Sequence, residues 1–63
     1  MDKRLIDTIE LASYIGFSKF TIRKWTSQRK IPFVKIHGSV KFDLNDIEIF
    51  IQQNKKKVLN LDN

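Results

Sequence analysis

The sequence predicts a mainly helical fold carrying one small β-hairpin, in the order helix, helix, two-stranded hairpin, helix. Three observations carry that prediction. Apolar residues recur at helical spacing on either side of Gly16, a residue that takes positive φ without strain and so suits a helix end. Pro32 then stops any helix, and residues 34–42 alternate in polarity around His37-Gly38-Ser39. After Asp43, a good cap, helical periodicity resumes through Leu44, Ile47, Phe50 and Ile51.

The first seven residues are mixed in polarity, with Leu5 and Ile6 expected to dock on the core. Thr8 is the expected N-cap of the first helix, residues 9–15, in which Ile9, Ala12 and Ile15 share a face with Leu11 beside it. Gly16 ends it, and Phe17 is expected to be buried in the tight turn that follows. The Ser18 hydroxyl can accept a bond from an orphan N–H of the next turn, so it caps a second helix over residues 19–28. At 100° per residue, Ile22 and Trp25 fall on one side of that helix, with Ser18 and Thr21 near its edges. Lys19, Phe20, Arg23, Lys24 and Ser27 fall on the other. Two short helices joined through a Gly-containing turn form a helix-turn-helix.

Residue parity sets the hairpin register. A three-residue loop, His37-Gly38-Ser39, puts Ile36 opposite Val40 and Val34 opposite Phe42, so the apolar residues share a face. A two-residue Gly38-Ser39 loop mixes the faces, and the three-residue loop is therefore expected. It also sets Lys35 opposite Lys41. Like charges across a strand pair repel unless both swing into solvent or an anion such as a phosphate lies between them. Asp43, with Asp46 three residues on as a weak capping box, starts the third helix. Residues 1–54 are expected to form one domain. Residues 55–63 follow as a tail with three lysines, Lys55, Lys56 and Lys57, and the apolar Val58, Leu59 and Leu61. Packing back on the core, disorder and contact with a partner are all open to that tail. The whole is a winged helix-turn-helix: helix, helix, two-stranded wing, helix.

Composition narrows function. At 63 residues the chain makes one small domain with a limited core. It has no cysteine and one histidine, so no disulfide, thiolate zinc site or other metal site is expected. No nucleophile–His–acid set of workable spacing and no phosphate-cradling Gly loop is present, so neither catalysis nor a cofactor is expected. No apolar run approaches the ~18 residues of a membrane span, and the N-terminus is not a signal peptide. A cytoplasmic location fits the lack of cysteine. Residues 16–30 hold five basic residues and no acidic one, which equals the formal net charge of +5. A cationic helix face at that density suits a polyanion, and duplex DNA is the expected partner.

Arg23 offers a planar fork that can bond guanine O6 and N7 together, and Lys24 offers a point charge for phosphate or guanine. Lys19 lies where a helix N-terminus adds its own attraction for phosphate. Thr21 suits a base, a phosphate or a packing role. An outward Phe20 would press on a thymine methyl group, whereas a rotated helix would make it core. Trp25 shares the Ile22 face and is expected in the core. His37, at the hairpin tip, is placed for solvent or for the DNA backbone.

Thr8-Ile9-Glu10-Leu11-Ala12-Ser13-Tyr14-Ile15-Gly16-Phe17-Ser18, then Thr21-Ile22, Trp25, Ile31-Pro32, Lys35-Ile36-His37-Gly38 and Lys41-Phe42 resemble the excisionase-like domains. These are small winged-helix proteins related to the DNA-binding heads of MerR-type regulators. The resemblance covers about residues 5–53. It implies a recognition helix in the major groove, carrying Lys19, Phe20, Thr21, Arg23 and Lys24, with Ser27 on the same face. It also implies a wing on the minor groove or backbone, with Lys35, Gly38, Ser39 and Lys41, and with His37 at its tip. Members of the family bend DNA and help an integrase excise a mobile element; others are phage or plasmid transcription regulators. A single domain of this size makes a small DNA interface, so weak monomer binding and cooperative assembly on repeated sites are expected. The rival class is a winged helix used as a protein-interaction module. Two departures stand out. Family members often have Gly at the Arg29 position, and many carry Gly at the His37 position and Arg at Ser39.

Overall fold

A computed structural model of the chain describes residues 4–56. Lys57, Val58, Leu59 and Leu61, named above as a possible docking tail, lie outside the described residues. The elements are β1 (Leu5–Ile6), α1 (Thr8–Ile15), α2 (Lys19–Ser27), β2 (Val34–Ile36), β3 (Ser39–Asp43) and α3 (Leu44–Gln53). The order matches the expectation, with one addition. Leu5 and Ile6 dock as a strand, paired antiparallel to Asp43 and Phe42. The wing is thus part of a three-stranded sheet in the order β1-β3-β2, with β3 in the middle.

Asp7, and not Thr8, caps α1. Its carboxylate accepts from the Glu10 N–H at 2.8 Å, and the Glu10 carboxylate accepts from the Asp7 N–H at 3.1 Å. The reciprocal box decides the start: three residues beyond Asp7 stands a glutamate that can reach back, whereas three beyond Thr8 stands Leu11. The buried stripe of α1 is accordingly Leu11 and Ala12, with Ile15 packed beside them. Ile9, expected on that stripe, is 61% exposed, because it lies roughly 160° around the helix from Leu11. Gly16 closes α1 in the left-handed region at φ 81°, with the Phe17 N–H donating to the Ala12 carbonyl at 3.0 Å. Phe17 is not buried. It stands half exposed with its ring edge-on to Trp25, centroids 4.8 Å apart.

The hairpin register differs from the expected one. Val34 pairs with Lys41, Lys35 with Val40 and Ile36 with Ser39. The loop is His37-Gly38 alone, both left-handed at φ 49° and 82°. A two-residue turn with positive φ at both positions carries the twist that antiparallel strands need, and histidine is among the residues that tolerate it. Lys35 and Lys41 therefore do not face each other. Successive strand residues alternate sides, so the two lysines leave opposite faces of the hairpin.

Phe42 on the central strand, Leu11, Ile22 and Ile47 are fully buried and are joined by Ile6, Ala12 and Ile31. Each of the larger side chains, Ala12 apart, contributes roughly 1.5–3 kcal/mol by leaving water. Leu44, Phe50 and Ile51 complete the α3 stripe against this core, and Trp25 packs on it from α2. Asp43 caps α3, accepting from the Asn45 N–H at 2.9 Å. Its other oxygen takes Arg4, with Nη2 at 2.9 Å and Nε at 3.0 Å. This pair pins the start of the described chain to the start of α3.

Candidate nucleic-acid interface

Three constraints orient α2. At its start, Ser18 Oγ accepts from the Thr21 N–H at 3.2 Å. At its middle, Ile22 is wholly buried. At its end, the Lys30 N–H donates to the Trp25 carbonyl at 2.8 Å and the Arg29 N–H to the Thr26 carbonyl at 3.0 Å. That paired pattern reverses the chain and requires a left-handed residue, here Arg29 at φ 57°. Arg29 thus takes a backbone shape that glycine adopts without strain, and the helix ends where expected.

With Ile22 fixed inward, the opposite face is fixed outward. Lys19, Phe20, Arg23, Lys24 and Ser27 are all exposed, Phe20 to 68%. The Lys19 ammonium lies 5.5 Å from the centre of the Phe20 ring, a cation–π contact along the first turn. Ser27 Oγ donates to the Lys24 carbonyl at 3.0 Å. Thr21 is half buried, and its hydroxyl lies 3.0 Å from Ser18 Oγ, so it serves the cap.

The remaining two cations of residues 16–30 leave this face. The Arg29 guanidinium lies over the Phe33 ring, 6.0 Å from its centre. Lys30 lines an apolar groove of about 850 Å³ on the far flank of α2, with Ile15, Phe17, Trp25, Phe50 and Ile51. Glu48 sits in the same groove and accepts a hydrogen bond from the Tyr14 hydroxyl, which raises the Tyr14 pKa above its ordinary value.

In the wing, Lys35, His37, Gly38 and Ser39 are exposed and Lys41 is half buried. A cleft of about 490 Å³ joins wing and helix: Arg23, Thr26 and Ser27 of α2 line it with Val40 of β3 and with Asp7, Thr8 and Ile9 at the start of α1. Thr8 and Ile9, expected as a cap and as a core residue, line this cleft beside Arg23 instead. Helical spacing from Ala12 and Ile15 set Ile9 on the buried face, so its place in this cleft follows from the structure alone. The Asp43 carboxyl is held below the ordinary carboxylate range, chiefly by its hydrogen bond from Arg4 and against the opposing effect of burial. This ion pair is structural and uses none of the cations of the α2 face.

Among the described residues no group of three or more His, Cys, Asp or Glu is placed to hold a metal ion. No described helix is long and apolar enough to cross a membrane. A family model described as a helix-turn-helix domain matches residues 5–55. No curated protein and no solved structure matches the chain.

Proposed function

The chain belongs to the helix-turn-helix domain family, the excisionase-like one that its motifs resemble, and on that premise we propose that it binds duplex DNA in a sequence-dependent way. The outward face of α2 enters the major groove, and the β2–β3 hairpin lies on the backbone or the minor groove. The observation that carries this is the cationic face of α2, Lys19, Arg23 and Lys24 around Phe20, held outward by the buried Ile22. Arg23 bonds a guanine edge or a phosphate, Lys24 and Lys19 neutralise phosphates, and Ser27 contacts the backbone. His37, Gly38 and Ser39 at the hairpin tip form the wing contacts, with Lys35 or Lys41 according to which face of the hairpin meets the DNA. No catalytic step belongs to this function.

The finer role we assign is that of a recombination directionality factor. It binds cooperatively to repeated sites, bends DNA and assists an integrase in the cytoplasm, at the nucleoid. A phage or plasmid transcription regulator uses the same interface without needing the bend. The apolar groove beside Trp25, lined by none of Lys19, Arg23 and Lys24, favours a further role in protein contact.

Fluorescence anisotropy with a labelled duplex at two salt concentrations tests the central proposal. Affinity is expected to fall steeply with salt, since each neutralised phosphate releases counterions. Salt-independent binding, or competition by acidic protein and not by duplex DNA, overturns it. An excision assay with the cognate integrase then separates the directionality factor from the regulator.

A further inference from the structure

We infer that Phe20 reads thymine through its C5-methyl group, at the centre of the α2 footprint. The inference rests on the major-groove placement proposed above.

Phe20 is the second residue of α2, in the turn where recognition helices meet base edges. It lies roughly 160° around the helix from Ile22, almost directly opposite the buried anchor. At 68% it is more exposed than Ile9, Tyr14, Phe17, Ile36 or Ile49. Phe17 leans on Trp25, and Tyr14 is bonded to Glu48. Phe20 takes no part in the core cluster, and its ring contact is the Lys19 ammonium beside it. Its neighbours one turn on are Arg23 and Lys24, so an apolar surface of aromatic size is framed by cations. The cations suit phosphates and guanine edges. The ring suits an apolar group at the floor of the same groove. Of the four bases, only thymine presents one there, its C5-methyl. Phe20 therefore supplies an apolar thymine contact, flanked by the polar contacts of Arg23 and Lys24.

The test uses a duplex selected by the full chain from a random pool. Each thymine in it is replaced in turn by deoxyuridine, which removes the methyl group and leaves every hydrogen-bonding group in place. Anisotropy titrations compare the parent protein with Phe20→Ala and Phe20→Leu. The exposed position lets both variants fold, which circular dichroism checks. The parent is expected to lose about fourfold in affinity at one or two thymines, the effect of one buried methyl. Phe20→Ala is expected to bind the thymine duplex more weakly and to be indifferent to deoxyuridine at those positions. Phe20→Leu should keep part of the discrimination. Equal binding of the parent to every deoxyuridine duplex overturns the inference. So does a Phe20→Ala protein with the parent's thymine preference, because DNA shape or another side chain then reads the base. Loss of bending in Phe20→Ala without any deoxyuridine effect also overturns it, in favour of a wedge between base steps. Salt-dependent duplex binding that ignores deoxyuridine sinks this assignment alone, whereas absence of salt-dependent binding sinks the DNA-binding proposal with it.

Discussion

Arg29 carries a conformational cost that two substitutions can measure. Its φ of 57° is required by the bonds that end α2, from the Lys30 and Arg29 N–H groups to the Trp25 and Thr26 carbonyls. A residue with a Cβ loses about 1–2 kcal/mol in this region. Glycine avoids that loss but gives back about 0.4–1 kcal/mol through its greater freedom in the unfolded chain. Glycine should therefore exceed alanine here by roughly 0.5–1 kcal/mol. Arginine adds its contact with Phe33, which at 6.0 Å is at the edge of useful range and contributes about 0.5 kcal/mol at an exposed site. The expected order of stability is Arg29→Gly at or just above the parent, then Arg29→Ala below it. The gap between the two variants should be about 4–8 °C in Tm for a domain of this size. Thermal unfolding followed by circular dichroism measures it. Both variants remove the same charge, so charge cannot produce the gap. An alanine variant as stable as the glycine variant would refute the reasoning, because residue 29 would then not need the left-handed backbone. Both variants should keep near-parent affinity for the selected duplex, since the Arg29 guanidinium lies over Phe33 and off the α2 face.

Four more outcomes are expected. The Asp43 carboxyl titrates below its ordinary value near 3.8 in the folded chain. Its contribution to stability is complete above that unfolded-state value and is lost as pH falls through the lower folded-state one. Asp43→Asn keeps a capping side chain but should flatten the acid limb of Tm against pH; an unchanged limb would show that the Arg4 pair carries none of it. Ser18→Ala should lower stability by about 1 kcal/mol through loss of the α2 cap, read as a lower urea midpoint at constant slope. Gly38→Ala should cost about 1 kcal/mol purely through backbone strain at φ 82°, since a Cβ there meets nothing within 4 Å. His37→Asn, which suits the same turn better, should move Tm the other way.

Much of this was legible because it depends on spacing within single elements. The α2 face follows from Ser18, Ile22 and Trp25 alone, and the structure places Phe20, Arg23 and Lys24 outward as that spacing requires. Gly16 ended α1 and Asp43 began α3 for equally local reasons. What escaped the sequence depended on competition between nearly equal options or on partners distant in the chain. Asp7 and Thr8 are both good caps, and Glu10 decides between them. The hairpin offered several loops, and apolar alternation favoured one that left-handed backbone at His37 and Gly38 overrode. β1 is two residues long, too short for a periodic signal, and exists because β3 has a free edge. The Arg4–Asp43 pair spans 39 positions, a separation no local pattern reports.

The corrected hairpin changes what the DNA footprint can be. Had Lys35 and Lys41 faced each other, an anion between them would have made the wing a two-cation clamp. In the observed register they leave opposite faces, so a single phosphate cannot sit between them. With Arg29 over Phe33 and Lys30 in the apolar groove, the cations available to one bound domain reduce to Lys19, Arg23 and Lys24 with one wing lysine. At about −0.9 per phosphate, the slope of log K against log salt should be about −3.6, and no steeper than about −4.5 even with both wing lysines engaged. Affinity then falls by about two orders of magnitude between 50 and 200 mM salt. Arg23→Ala should reduce the slope by about one if Arg23 holds a phosphate. If Arg23 reads guanine, it should instead weaken selected duplexes far more than random ones with little change of slope. A slope well beyond about −4.5 for a single site would overturn the one-domain footprint. It would bring in Lys55 and Lys56 or a second copy of the chain.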